Sequence, residues 1–464
     1  MVGNPSRLGA KRPVDEANVL AMINSLPAAI EARWLVEPGA VPTTIHQGTF
    51  TLVQSSRRVR LRGKIALHWS PEPEVRFEGF PVSGQPTLNL QEAQLRTTAH
   101  GFRGEAMVLG QHASSEGSPL YTGVCPRAVL GQRRAAKFVQ FQLVNFPWYR
   151  GRPIRFGPIG RASGVAGRLS FRAHGWRVDL DQTPNCSQRL KDVRARGGYA
   201  TTHAGLIRRT NGREIPFSQA EDFLCCLHFF YAFLSGHWSG PILTAGIGKT
   251  GQLWERMGSW KLTAGAKSRS WFPQTSPLSV EPLLGAFRHL WLDQLWGRAL
   301  RMTIHWYVHA NAEATVTENA IVAAFIPLEL IAWLVVVEHG GHMSARRFKS
   351  LSTAGRLEEL LRHSGIPLSV TKDLSPWLRR SALARREGNG PCSLTAVRNA
   401  LVHPRKQKRV LLSRLNPIVI YELKELALSY IELSLLRALN YTGPYSRRAH
   451  EGWKGDCLQK VPWA

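Results

Sequence analysis

Arg398, Asn399 and His403 stand in the run Ala396-Val397-Arg398-Asn399-Ala400-Leu401-Val402-His403-Pro404, and their types suit metal-free cleavage of RNA. Arginine offers a planar fork of donors for a phosphate. Histidine titrates near neutrality, as a general base or acid for attack by a 2′-hydroxyl requires. An adjacent asparagine can orient the histidine or the phosphate. On a helix, Asn399 and His403 are four apart and share a face. Leu394, Val397 and Leu401 form the apolar stripe that would hold this helix against a core. Arg398 lies about 140° round from His403 on a straight helix. Pro404 drives His403 out of the α region, into the last turn or just past it. Alone, the pattern also fits a polar patch on a surface helix.

The surroundings of the motif are basic. Between Pro376 and Leu415 ten Lys or Arg residues face one acid, Glu387. Arg385, Arg386, Arg405, Lys406, Lys408 and Arg409 are the candidates for holding further phosphates. The whole chain of 464 residues carries a net charge of +28. That points to a polyanion partner, nucleic acid before a membrane surface. An arginine-rich proteome would also raise the basic count, but not lower the acidic count to 32. A hydrophobic share of 44% with 20% charged residues is ordinary for a soluble globular protein.

Six cysteines without a C-x-x-C pair give neither a zinc knuckle nor a disulfide framework, so a reducing cytoplasm is the expected setting. The N-terminus lacks the basic-then-apolar order of a signal peptide. The longest apolar run, Ile321 to Val337, contains Pro327 and Glu329 and is short for a span. It is expected to be a buried helix, with no membrane partner.

The elements that must position the motif follow from periodicity. Residues 1–42 read as a leader with a short helix around Asp15 to Ser25. Residues 43–215 read as a β-rich domain, a sandwich or curved sheet, with strands such as Thr49 to Gln54, Lys64 to Trp69, Glu74 to Phe80, Lys137 to Asn145, Arg168 to Arg172 and Trp176 to Asp181. Arg57, Arg58, Arg60, Arg62 and Lys64 crowd one of these strands, as either a phosphate-contacting row or a solvated edge strand. Residues 216–278 read as a connecting helix, opened by a Ser218–Glu221 capping box, and a Gly/Trp-rich segment. Residues 279–445 read as helices: Pro282 to His309 bent near Gly297, a helix opened by Thr315 and Glu318 and kinked at Pro327, Ser344 to His363, the Arg398 helix, and one opened by Asn416-Pro417. Residues 446–464 read as a loose polar tail. The fold class is therefore α+β.

Rival sites are weaker. Ala245 to Thr250 half resembles a phosphate-binding loop, but Leu243 stands where its first glycine belongs, and a tight turn is the better reading. His305 and His309 have metal-ligand spacing without a third ligand nearby. The tryptophans at 254, 260, 271, 291 and 296 could stack bases, but they fall in apolar runs and suit a core.

The motif Arg398-Asn399-x-x-x-His403 resembles the R-x4-6-H signature of the HEPN ribonuclease domains. The order of helices over 279–445 is similar to that fold. Trp306-Tyr307 to Asn311, Leu328-Glu329-Leu330 to Trp333, Arg398-Asn399 to His403-Pro404 and Leu439 to Tyr445 resemble the ApeA-like branch of abortive-infection defence proteins, in which a β-rich domain precedes the helical one. The resemblance implies an endoribonuclease needing no cofactor, active as a homodimer through the C-terminal helices, with two motif helices facing across one cleft. It implies that Arg398 binds the scissile phosphate and that His403 acts as acid or base or stabilises the transition state. It also implies that Asn399 orients one of them. Glu329 could support Arg398 from behind, or simply rim the core. A non-catalytic RNA-binding module and a structural scaffold remain the alternatives.

Overall fold

A computed structural model describes residues 16–82, 92–97, 101–113, 119–159, 161–265, 268–312, 315–370, 375–403, 405–448 and 457–464. A short helix, α1 (Glu16–Ser25), precedes six strands: β1 (Thr43–Gln54), β2 (Arg57–His68), β3 (Glu74–Pro81), β4 (Glu92–Thr97), β5 (Arg103–Ala113) and β6 (Pro119–Gly131). Period-two alternation sends Phe50, Leu52, Val59, Leu61, Val75, Phe77 and Leu95 to one buried face. That face closes on itself. The order β3-β2-β1-β4-β5 continues to β6, and β6 pairs back to β3, giving a closed antiparallel six-stranded barrel. Closure brings strands close at Gly123, where a Cβ would lie 2.5 Å from the Phe77 ring.

β2 is thus paired on both sides, with β1 and with β3. Its arginines therefore do not protect an edge. The barrel is also not a free-standing module. The second half of β6 leaves β3 and pairs with β13 (Gln252–Gly258), so the ladder continues as β13-β12-β7-β11-β10-β9-β8 in one 13-stranded sheet. These strands are β7 (Phe138–Val144), β8 (Arg152–Phe156), β9 (Ser163–Ala173), β10 (Trp176–Gln182), β11 (Thr201–Arg209) and β12 (Ile242–Ile247). The β12–β13 hairpin turn holds Gly248 to Gly251, so the phosphate-loop-like stretch is a strand end and a turn.

α2 (Cys186–Arg196) packs on β11, and α3 (Phe217–Ser235) packs on the sheet, with Phe223 stacked on Trp176 at 4.3 Å. The expected Ser218–Glu221 capping box does not form; Pro216 precedes the first turn without a side-chain cap. The helical block follows: α4 (Leu283–Leu292), α5 (Trp296–Asn311), α6 (Thr317–Trp333), α7 (Ala345–Ser350), α8 (Thr353–His363), α9 (Pro376–Arg380), α10 (Ala382–Glu387), α11 (Gly390–Val402), α12 (Lys406–Ser413) and α13 (Pro417–Ala438). A β-rich region followed by helices makes the fold α+β, as the periodicity predicts.

Local details differ from expectation for identifiable reasons. The break between α4 and α5 is made by Asp293, whose carboxylate accepts the N–H groups of Leu295 and Trp296, both at 2.9 Å. Gly297 instead permits close packing, since a Cβ there would lie 2.7 Å from the Trp291 carbonyl oxygen. Thr315 caps nothing; its hydroxyl donates to the His309 carbonyl and α6 begins at Thr317. Leu351 turns extended and ends one helix, and Ser352 caps the next, splitting the expected 344–363 helix into α7 and α8. Thr317–His339, where α6 runs on as a π-helical turn, is apolar enough to span a membrane by composition, but 61% of its most apolar window is buried in the protein.

One apolar core runs from Val129 to Val461, joining β7, β9 to β11, α3 and the helical block. Described residues of the tail are part of it. β14 (Pro444–Ser446) pairs with β15 (Leu458–Lys460), Val461 is buried, and the Trp463 indole donates to the Tyr441 carbonyl at 2.8 Å. For residues 446–448 and 457–464 the expectation of a loose tail is corrected by these contacts, and above all by Arg448; residues 449–456 lie outside the described residues. Its fully buried guanidinium lies 3.3 Å from Glu425 and 2.8 Å from Glu432. It also donates to the Arg269 carbonyl at 2.8 Å and the Asn311 side-chain oxygen at 2.9 Å. The Tyr307 hydroxyl donates to Glu432.

Candidate functional site

The motif helix is fixed at its start. Asn389 caps α11 by accepting the Cys392 N–H at 2.8 Å and donates to Glu358 of α8 at 2.8 Å. That donated bond is the leading cause that holds the Glu358 carboxyl below its ordinary range. Gly390 lets α11 approach α13 closely, because a Cβ there would lie 2.2 Å from the Tyr430 hydroxyl. Pro391 occupies the first turn, where no donor is missed. Leu394, Val397 and Ala400 are fully buried, and α11 packs on α6, α8 and α13. Leu401, expected within the stripe, is only half-buried, since Ala400 takes the inner position beside Val397.

Arg398 and Asn399 come together. The Arg398 guanidinium donates to the Asn399 side-chain oxygen at 3.1 Å and lies 5.5 Å from the centroid of the buried Phe325 ring on α6. The aromatic face and the amide hold the fork at the protein surface. Its Nε is buried and has no hydrogen-bond partner. His403 ends the helix at φ −123°, ψ 79°, with its N–H still bonded to the Asn399 carbonyl at 3.0 Å. The imidazole is exposed and makes no hydrogen bond among the described residues. Pro404 lies outside the described residues. Lys408 reaches back to the Asn399 carbonyl at 3.4 Å, a cation on the C-terminal end of α11.

Within one chain the structure therefore pairs Arg398 with Asn399, and no hydrogen bond joins the His403 ring to either. Glu329 is exposed on α6 and makes no hydrogen bond or ion pair with Arg398. Of the basic candidates, Arg385, Arg405, Lys406 and Arg409 are exposed on α10 to α12, Lys408 is half-buried, and Arg386 is paired with its neighbour Glu387 at 2.5 Å. His305 binds Lys261 at 3.1 Å, and no group of three metal-ligating side chains occurs among the described residues. Trp254, Trp271 and Trp296 are buried core.

Sequence reasoning missed two features. One is the buried Arg448 cluster, whose members are scattered from Arg269 to Arg448. Its only signal is that Glu425 and Glu432 fall on the apolar side of α13. The other is a set of exposed large apolar side chains on α9 and α11 to α13: Val402, Val410, Ile418, Tyr421 and Trp377 range from 40% exposed at Val410 to 48% at Trp377. α12 has no buried residue at all.

Residues 293–459 match the family model described as the YopA C-terminal domain, and residues 131–268 match the YopA central domain. α11 lies within the first of these matches, whereas β1 to β5 lie outside both. The SPbeta prophage-derived uncharacterized protein YopA of Bacillus subtilis (strain 168) is 24% identical over 447 residues, covering 94% of this chain and 98% of that protein. No solved structure matches the chain.

Proposed function

We propose that this chain, similar over most of its length to an uncharacterized prophage protein, is a HEPN-type endoribonuclease with its site on α11. The observation that carries the reading is the Arg398–Asn399 pair, held on the Phe325 ring, with an unencumbered His403 at the end of the same helix. Arg398 would hold the non-bridging oxygens of a scissile phosphate. The 2′-oxygen attacks the adjacent phosphorus and its proton passes to a base, while the bond to the 5′-oxygen breaks and that oxygen receives a proton. The products are a 2′,3′-cyclic phosphate and a 5′-hydroxyl.

Because no hydrogen bond joins Arg398 to His403 within one chain, the reading takes two chains, each motif helix supplying part of one cleft. The exposed apolar side chains Val402, Val410, Ile418 and Tyr421 support a second copy as the occupant of that face. The exposed bases on α10 and α12 suit RNA. Six free cysteines support a reducing cytoplasm as its setting. A defence or toxin role belongs to the same proposal.

The test is cleavage of a labelled single-stranded RNA with and without chelator. The expected result is cutting in EDTA, with 2′,3′-cyclic phosphate ends, while DNA stays intact. Binding without cutting by the wild-type protein points instead to an RNA-binding module, and neither binding nor cutting to a scaffold.

A further inference from the structure

A cleft unrelated to α11 lies where the barrel meets the rest of the fold. It encloses about 340 Å³, and Arg103, Arg127, Arg133 and Arg256 line it together with Glu105 and Glu221. The sequence scatters these four arginines over 154 positions, and the strand ladder assembles them. Arg103 of β5 stands opposite Val129 of β6, and Val129 stands opposite Arg256 of β13, so both arginines rise from the same face on either side of one strand. Arg127 is two residues before Val129 and so shares that face. Arg133 leaves the end of β6 and rests on the Phe217 ring at 5.2 Å, an aromatic support that fixes its direction.

The charges in this cleft are not matched internally. The Arg256–Glu221 pair is loose, at 3.8 Å, beyond hydrogen-bond distance. Among the described residues, Arg103, Arg127 and Arg133 have no carboxylate within ion-pair distance. Four guanidinium groups against two carboxylates leave an excess of two positive charges in a space of small-ligand size. Arginines this close would repel one another unless solvent or an anion separated them. A singly charged anion would leave the excess half-balanced, whereas a chain of phosphoryl groups offers two or more charges and several oxygens to the planar forks.

We propose that this cleft is a binding site for a polyphosphate group, carried either by a free nucleoside di- or triphosphate or by the 5′ end of an RNA. The site is separate from α11 and does not depend on whether that helix cleaves RNA.

The experiment is calorimetric titration of the full-length protein with inorganic triphosphate, ATP and orthophosphate. A second arm uses 2′-blocked RNA oligomers bearing a 5′-triphosphate or a 5′-hydroxyl, so that cleavage cannot interfere. Expected is saturable binding of triphosphate, one per chain, with orthophosphate at least about tenfold weaker. The variant Arg127→Gln/Arg133→Gln removes two exposed side chains, so it should keep the wild-type melting temperature and lose at least about tenfold in affinity. Arg103→Gln, at a separate position, should do the same to a smaller degree. The charge-matched variant Lys191→Gln/Arg196→Gln on α2 should bind as wild type. Tighter binding of ATP assigns the site to a free nucleotide, and tighter binding of the 5′-triphosphate RNA over its 5′-hydroxyl form assigns it to an RNA end. No saturable triphosphate binding up to about 1 mM, unchanged affinity in the double variant, or equal affinity for orthophosphate would overturn the proposal.

Discussion

Replacing Arg448 with Met removes a cation that faces two carboxylates in the core between α5 and α13. The arginine side chain is 0% exposed, and Glu425 and Glu432 are 6% and 2% exposed. Methionine nearly fills the stem volume, so the cavity left is small and the cost is mainly electrostatic. Breaking a buried pair from one side costs roughly 3–5 kcal/mol, because the remaining charge stays buried without compensation. Burial opposes the charge on Arg448, but Glu432 and Tyr307 outweigh it and the net direction is upward. Burial already raises the Glu432 carboxyl, with Arg448 working against that rise. Without Arg448 the rise grows, and the folded state binds a proton that the unfolded state releases. The deficit of the variant should therefore be full at high pH and shrink as pH falls toward the ordinary glutamate range. Adding Glu432→Gln removes one orphaned charge and should recover about 1–3 kcal/mol. Urea unfolding at several pH values measures all of this. A cost below about 1 kcal/mol, constant with pH, would refute the view that Arg448 neutralises this cluster.

Three further outcomes are expected. Arg398→Ala and His403→Ala should leave folding and self-association intact while lowering RNA cleavage at least about 10²-fold, with Arg398→Ala also weakening RNA binding; wild-type rates in both would end the assignment to α11. Leu394→Ala, at a fully buried position, should cost about 2–5 kcal/mol by denaturant unfolding, and Leu401→Ala, half-buried, clearly less; equal costs would contradict the observed facing of α11. His203 is buried against Tyr149, and burial lowers its pKa to about 3. The unfolded chain takes up a proton below about 6.5 that the folded chain refuses, so stability falls with acidification from there, by about 1.4 kcal/mol per pH unit from this residue. His203→Phe should remove that share of the slope, and an unchanged slope would show that another group sets it.

The sequence made some of this architecture legible and hid the rest for physical reasons. Asn416-Pro417 announces α13 because cap and first-turn proline act within three residues, and the Asn416 side chain indeed accepts the Ile418 N–H at 2.9 Å. Short-range alternation likewise marks β2, β3 and β10. Closure of the barrel is invisible at that range, since it rests on β3 meeting β6 more than 40 positions away. The capping boxes at Ser218 and Thr315 are motif matches that tertiary packing overrides. For the site, the Arg398–Asn399 contact follows from adjacency and the exposed His403 from its proline neighbour. The Phe325 support, the near-surface apolar face and the arginine cleft all depend on which elements touch, which no local pattern encodes.

β6 has one further consequence, for how this chain can change over time. Its first half is read by β3 and β5, and its second half by β5 and β13, so a single thirteen-residue strand keeps the barrel and the sheet that continues from it in step. Losing or gaining one residue in most strands can be absorbed by a slip toward the nearest turn. Within β6, a slip that restored the barrel would turn the other half inside out, exchanging inward and outward side chains. Natural length variation should therefore gather in the connections on either side of β6 and spare the strand itself. Amino-acid exchanges that preserve its alternation remain open.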